Sequence, residues 1–154
     1  MTESFSLKVS RLIYDMAQDY LNEAAKTQVE TAAVLCFQSF GEFLRWNSHF
    51  HGIFLEGGFD QSGNFVYIPF SNLSQMTECF RRRVIKLFIE KKLINQHMAD
   101  NLLRWRHSGF SIDSSIRLFG GSQQERENHT IADTATELRI KGKNRIRSFT
   151  ILPV

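Results

Sequence analysis

Two histidines separated by one residue, His49 and His51, lie inside the run Asn47-Ser48-His49-Phe50-His51-Gly52-Ile53-Phe54-Leu55. Side chains two apart on a β-strand point to one side, so in a strand both imidazoles face a single cation or phosphate while Phe50 faces the other way. Neutral imidazoles suit Zn2+ or Mn2+ better than Mg2+, and two of them alone are not a metal site. A third ligand is required. Gln38, at the end of the preceding apolar run, reaches the same sheet face if the two strands pair antiparallel. Glu56 needs a bulge or turn to swing round, and His97, His107 and His129 are more distant. The pair can also simply hydrogen-bond to neighbours on a mixed surface. The surrounding Trp46, Phe54 and Phe59 make unsatisfied imidazoles costly, although Phe50 belongs to the opposite side.

The elements that must position this pair follow from periodicity. Val9, Leu12, Ile13, Met16 and Tyr20 predict a helix over about 6–25, and the partly β-branched run 31–38 predicts a buried strand. A strand over 49–55 carries the histidines. Gly57 to Asn64 has turn composition, Phe65 to Ile68 is the return strand, and Pro69 ends it. Ser71 or Asn72 caps the clearest helix, whose stripe is Met76, Phe80, Val84, Leu87 and Phe88. A shorter helix begins at Asn95, and strands are expected over 107–112 and 115–119. From Gly120 no core signal appears until Ile131. The order predicts an α+β fold, an antiparallel sheet packed against helices.

With 154 residues, 42% of them hydrophobic, the chain has enough material for one core. No basic segment followed by a long apolar run opens the sequence, and no stretch is long enough for a membrane span. A cytoplasmic protein with no membrane partner is expected, with Cys36 and Cys79 reduced in its core. The net charge of +3 is concentrated near the C-terminus, where Arg139, Lys141, Lys143, Arg145 and Arg147 alternate. An extended backbone puts these on one face and Leu138, Ile140 and Ile146 on the other. They form either a solvated edge strand or tail, or a strip that contacts phosphates.

Several blocks together carry a resemblance. Phe37-Gln38-Ser39-Phe40-Gly41-Glu42-Phe43-Leu44, the histidine pair, Glu56-Gly57-Gly58-Phe59, Tyr67-Ile68-Pro69-Phe70 and Leu103-Arg104-Trp105-Arg106-His107-Ser108-Gly109-Phe110-Ser111 occur in order over about residues 5–119. In this they resemble the rolling-circle transposases of bacterial insertion sequences, the two-tyrosine members of the histidine-hydrophobe-histidine (HUH) endonuclease superfamily. The resemblance implies an HUH endonuclease-like core at 1–120, with 121–154 a divergent polar and basic tail. It also implies a divalent ion, Mg2+ or Mn2+, held by His49, His51 and a third ligand, for which Gln38 is the candidate. Such an ion polarises a scissile phosphate that a tyrosine attacks.

The nucleophile is where the sequence departs from the family. Its 3 tyrosines, Tyr14, Tyr20 and Tyr67, all precede the region in which the resemblance places catalytic tyrosines. Tyr14 and Tyr20 are about 600° apart around a helix and do not share a face. The expectation is a truncated catalytic domain that does not nick and rejoin single-stranded DNA of a mobile element, and that self-associates through a face left uncovered. One alternative is a non-catalytic single-stranded DNA-binding module. It would use Arg81, Arg82, Lys86, Arg104, Arg106 and the alternating Arg139, Lys141, Lys143, Arg145 and Arg147, with Trp46 or Trp105 for stacking. Another is a metal-dependent hydrolase whose nucleophile is water.

Overall fold

The computed structural model describes residues 4–40, 46–113, 117–119 and 145–153. The side chains of Phe40, Trp46, Asn47, 117–119, 145–150, 152 and 153 are outside that description. Three helices pack against a small antiparallel sheet. Helix α1 (Phe5–Ala25) starts where the Ser4 hydroxyl accepts from the Leu7 N–H, and stops at Lys26, which has φ of 55°. Strands β1 (Ala33–Phe40) and β2 (Trp46–Leu55) pair antiparallel, and a hairpin of β3 (Gly57–Phe59) and β4 (Phe65–Tyr67) follows. Helix α2 (Leu73–Glu90) is capped by Asn72, whose side chain accepts from Gln75 N–H at 3.0 Å. Asn95 caps α3 (Gln96–Arg104) through Met98 N–H at 2.8 Å. Strands β5 (Phe110–Asp113), β6 (Arg117–Phe119) and β7 (Arg145–Pro153) complete the sheet.

The strand order is β1-β2-β7-β5, with β6 also paired to β7. The C-terminal segment is therefore an interior strand, seated between β2 and β5. Its register puts Phe50 opposite Ile151 and Phe54 opposite Arg147, while Ile112 on β5 also meets Ile151. Phe50, Phe54, Ile112 and Ile151 are buried in one cluster with Ile13, Met16 and Ala17 of α1 and Met76, Phe80 and Val84 of α2. Both long helices thus cover the same sheet face. Burying each of the larger of these side chains contributes roughly 1.5–3 kcal/mol, which outweighs the few tenths available from surface ion pairs such as Arg82–Glu78.

Two departures from the sequence reading have clear causes. The turn expected over 57–64 is shorter, because Gly57–Phe59 already pairs with Phe65–Tyr67. The turn proper is held by Asp60 Oδ1, which accepts from Ser62 N–H and Asn64 N–H at 2.9 and 2.8 Å. Cys36 is exposed instead of buried in the core. It sits on β1 with the parity opposite to Leu35 and Phe37, on the face that the helices do not cover. Among the described residues no helix is long and apolar enough to cross a membrane.

Gly57 fixes the exit from β2. Its φ is +143°, and a Cβ there would lie 2.1 Å from the Val66 carbonyl oxygen, whereas one at Gly63 (φ +79°) would meet nothing within 4 Å. Gly57→Ala is expected to cost on the order of 2–4 kcal/mol in urea unfolding, from strain and overpacking together. Gly63→Ala is expected to cost about 1–2 kcal/mol, from the backbone alone. Equal losses would contradict the close approach at Gly57.

Candidate functional site: the histidine face of the sheet

Because Phe50 and Phe54 point to the helices, His49 and His51 point away from them. Their rings lie edge to face with centroids 4.8 Å apart. His49 is buried, with 8% of its surface exposed, and His51 is half-buried. In the antiparallel register Gln38 stands directly opposite His49 and Cys36 opposite His51. Sequence reasoning passed over Cys36 as a core residue. The sheet parity that would have found it depends on knowing which face the helices cover. The same cross-strand row continues from His51 to Thr150 on β7 and Asp113 on β5.

Burial, and after it the charge that His49 can carry, hold the His51 imidazole below the ordinary histidine value. At neutral pH His51 is therefore uncharged, and acts as a hydrogen-bonding group and not as a cation. The sign of the linked stability follows. The unfolded chain protonates His51 more readily than the folded one, so this stabilisation is full above the ordinary histidine range and is lost as pH falls toward the folded value.

The described residues contradict the expected Mg2+ or Mn2+ cofactor. Among the described residues no group of three His, Cys, Asp or Glu side chains is arranged to hold a metal ion. Asp113 lies in the same cross-strand row but two strands from His51, with Thr150 of β7 between them. Glu56 is fully buried at the bend between β2 and β3. Gln38 contributes a neutral amide. Two imidazoles and an amide supply no carboxylate oxygen, the ligand type that Mg2+ and Mn2+ favour. The hydrolase alternative loses its metal for the same reason.

The tyrosines serve the fold. Tyr14 donates to the Thr31 carbonyl at 3.0 Å. Tyr20 is 3.2 Å from the Pro69 carbonyl and the Ser71 hydroxyl, and its ring stacks on Phe70. Both belong to α1, on the face of the sheet opposite the histidines. Tyr67 lies on β4 in the separate two-stranded sheet.

The basic candidates divide. Arg81 is 7% exposed and committed inward: it pairs with Glu78 at 3.2 Å and donates to the Leu102 carbonyl, fastening α2 to α3. Its place in the run Arg81-Arg82-Arg83 concealed this, since composition does not reveal which member of a run faces a neighbouring helix. Arg82 is exposed but paired with Glu78 at 2.7 Å, and Lys86 lies 3.9 Å from Glu90. Arg104 and Arg106 are exposed, with no acidic partner among the described residues, and flank Trp105, which is 59% exposed. Arg139, Lys141 and Lys143 lie outside the described residues. Arg145 and Arg147 are positions of β7, where Arg147 pairs in register with Phe54 and with Arg117. The alternation of these basics thus belongs in part to an interior strand, not to a solvated edge. Trp46 as a stacking group falls outside the described side chains.

No protein-family model, curated protein or solved structure matches the chain.

Millimolar Mn2+ is expected to leave the ring proton signals of His49 and His51 unbroadened in NMR spectra. In the same spectra His51 is expected to titrate below the ordinary histidine value. Selective broadening of both rings by Mn2+ would show a metal site, and a raised His51 midpoint would contradict its desolvation.

Proposed function

We propose that this chain binds single-stranded DNA without cleaving it, as a domain descended from the HUH transposases that its sequence blocks resemble. The observation that carries the binding is the exposed sequence Arg104-Trp105-Arg106 at the end of α3, where two uncompensated guanidinium groups flank an accessible indole. Guanidinium groups neutralise phosphates, and an indole stacks on bases without regard to sequence, contributing about 1–3 kcal/mol per stacked base. Single-stranded DNA offers both at once. Duplex DNA keeps its bases stacked on one another and leaves only the phosphates.

The descent is supported by the histidine pair on β2, with Gln38 facing it across β1, on the helix-free side of an antiparallel sheet. An ancestral HUH enzyme would place its metal there. Among the described residues the ligand set is incomplete and the tyrosines of α1 lie on the other side of the sheet, so no covalent strand transfer is assigned to them. Neutral His51 and its neighbours then present hydrogen bonds in place of a Lewis acid.

Fluorescence anisotropy with a labelled oligothymidylate in EDTA is expected to show binding that weakens as salt rises. Trp105→Ala is expected to weaken it about 5- to 150-fold, the equivalent of one lost stacked base. The double variant Arg104→Ala, Arg106→Ala is expected to flatten the salt dependence by about two phosphate contacts. Arg81→Lys is expected to leave the salt dependence unchanged. Binding that persists undiminished in the Trp105 variant, or a covalent protein–DNA adduct, would overturn the proposal.

A further inference from the structure

Among the described residues, the outer edge of the sheet is covered along one part of its length and unpaired along the next. Glu30 exchanges main-chain hydrogen bonds with Phe59, and the Ala32 carbonyl accepts from Leu55 N–H, so even-numbered residues of this segment face β2 and β3. Odd-numbered residues face outward. At Val29 and Thr31 those outward groups meet side chains of α1. Val29 N–H donates to Asn22 at 2.9 Å, and Gln18 donates to the Val29 carbonyl. Thr31 N–H donates to Gln18 at 3.2 Å, and the Thr31 carbonyl accepts from Tyr14.

This cover stops at Thr31. The unbroken register from Ala33↔Phe54 to Gln38↔His49 continues the parity, so the outward N–H and C=O groups of β1 belong to Ala33, Leu35 and Phe37. Among the described residues nothing pairs with them. Natural edge strands are blunted by charge, proline, bulges or brevity. Ala33-Val34-Leu35-Cys36-Phe37-Gln38-Ser39-Phe40 has eight residues with no charge and no proline, and its irregularity falls only after Gln38. Phe37 is 41% exposed on it. The opposite side of the sheet is made of two short strands paired to β7, β5 of four residues and β6 of three.

We propose that β1 pairs with β1 of a second copy of this chain, antiparallel about a two-fold axis through Cys36, so that two sheets become one. With the axis there, Leu35 of one copy stands opposite Phe37 of the other. Both project their N–H and C=O groups outward, so each such pair exchanges two main-chain hydrogen bonds. The same pairing brings Leu35 and Phe37 side chains together on the helix-covered face and reduces the exposure of Phe37. The strand carries no charge, so like-charge repulsion across the axis is absent. The association is closed by its two-fold symmetry, which limits it to a dimer.

Cys36 reports on this register. It faces inward through its backbone, so Cys36 and its symmetry mate form a non-hydrogen-bonded pair with Cα atoms about 4.5 Å apart, within the span of about 4.4–6.8 Å that a disulfide bridges. In light scattering after gel filtration under reducing conditions, the DNA-free protein is expected at twice the chain mass. Cys36→Lys, which sets two ammonium groups face to face at an exposed position, is expected at the monomer mass with an unchanged far-ultraviolet circular dichroism spectrum. Diamide, which takes up one hydrogen from each of two thiols as the disulfide forms, is expected to crosslink wild type and Cys79→Ser but not Cys36→Ser. The near-isosteric serine variant decides the register even if the lysine variant unfolds. A monomeric wild type, a folded Cys36→Lys dimer, or a crosslink through Cys79 would each overturn the proposal. None of these readouts involves DNA, so their outcome is independent of the proposed binding activity.

Discussion

Phe50 and Phe54 seat the sheet on α1 and α2, and because successive side chains of a strand alternate, that burial dictates where His49 and His51 point. A one-residue slip of β2 would exchange the two sets. It would place two imidazoles against Ile13, Met16 and Phe80 and expose two phenyl rings, a loss of several kcal/mol of apolar burial before any cost of burying polar rings. The register of β1 and β7 on either side of β2 is therefore fixed by the core, and the composition of the histidine face is its consequence. Gln38 opposite His49, and Cys36 opposite His51, are set by the same constraint.

The parts of this arrangement legible in the sequence are those whose own pattern decides them. Helix α2 has its stripe and Asn72 cap, α3 its Asn95 cap, and β2 its alternation; each can be read locally because packing and local preference agree. Strand β7 is different. Arg145 and Arg147 alternate with Ile146 and Ser148, which resembles a solvated strand, yet partners on both sides make it interior. Pairing with β2 is a contact across about a hundred residues and leaves no local trace. Cys36 illustrates the converse limit. An apolar run indicates burial, but only the identity of the helix-covered face separates Leu35, packed against the core, from Cys36, turned away from it.

The histidine pair shows how geometry and chemistry part company. Two imidazoles at one strand spacing are easily brought together, and here they touch edge to face. Holding a divalent cation needs a third group of suitable charge within bonding reach, and the sheet provides an amide on one side and a carboxylate two strands away on the other. The hydroxyls of Tyr14 and Tyr20, by contrast, join α1 to the segments at Thr31 and Pro69. The proposed binding instead rests on an exposed ring between two cations at Trp105.

The most direct test of that account is the indole N–H resonance of Trp105 in 15N–1H spectra as oligothymidylate is added in the presence of EDTA. The account predicts a progressive, saturable shift of this signal without any metal. An unmoved Trp105 resonance, or a shift that appears only when Mn2+ or Mg2+ replaces EDTA, would contradict it.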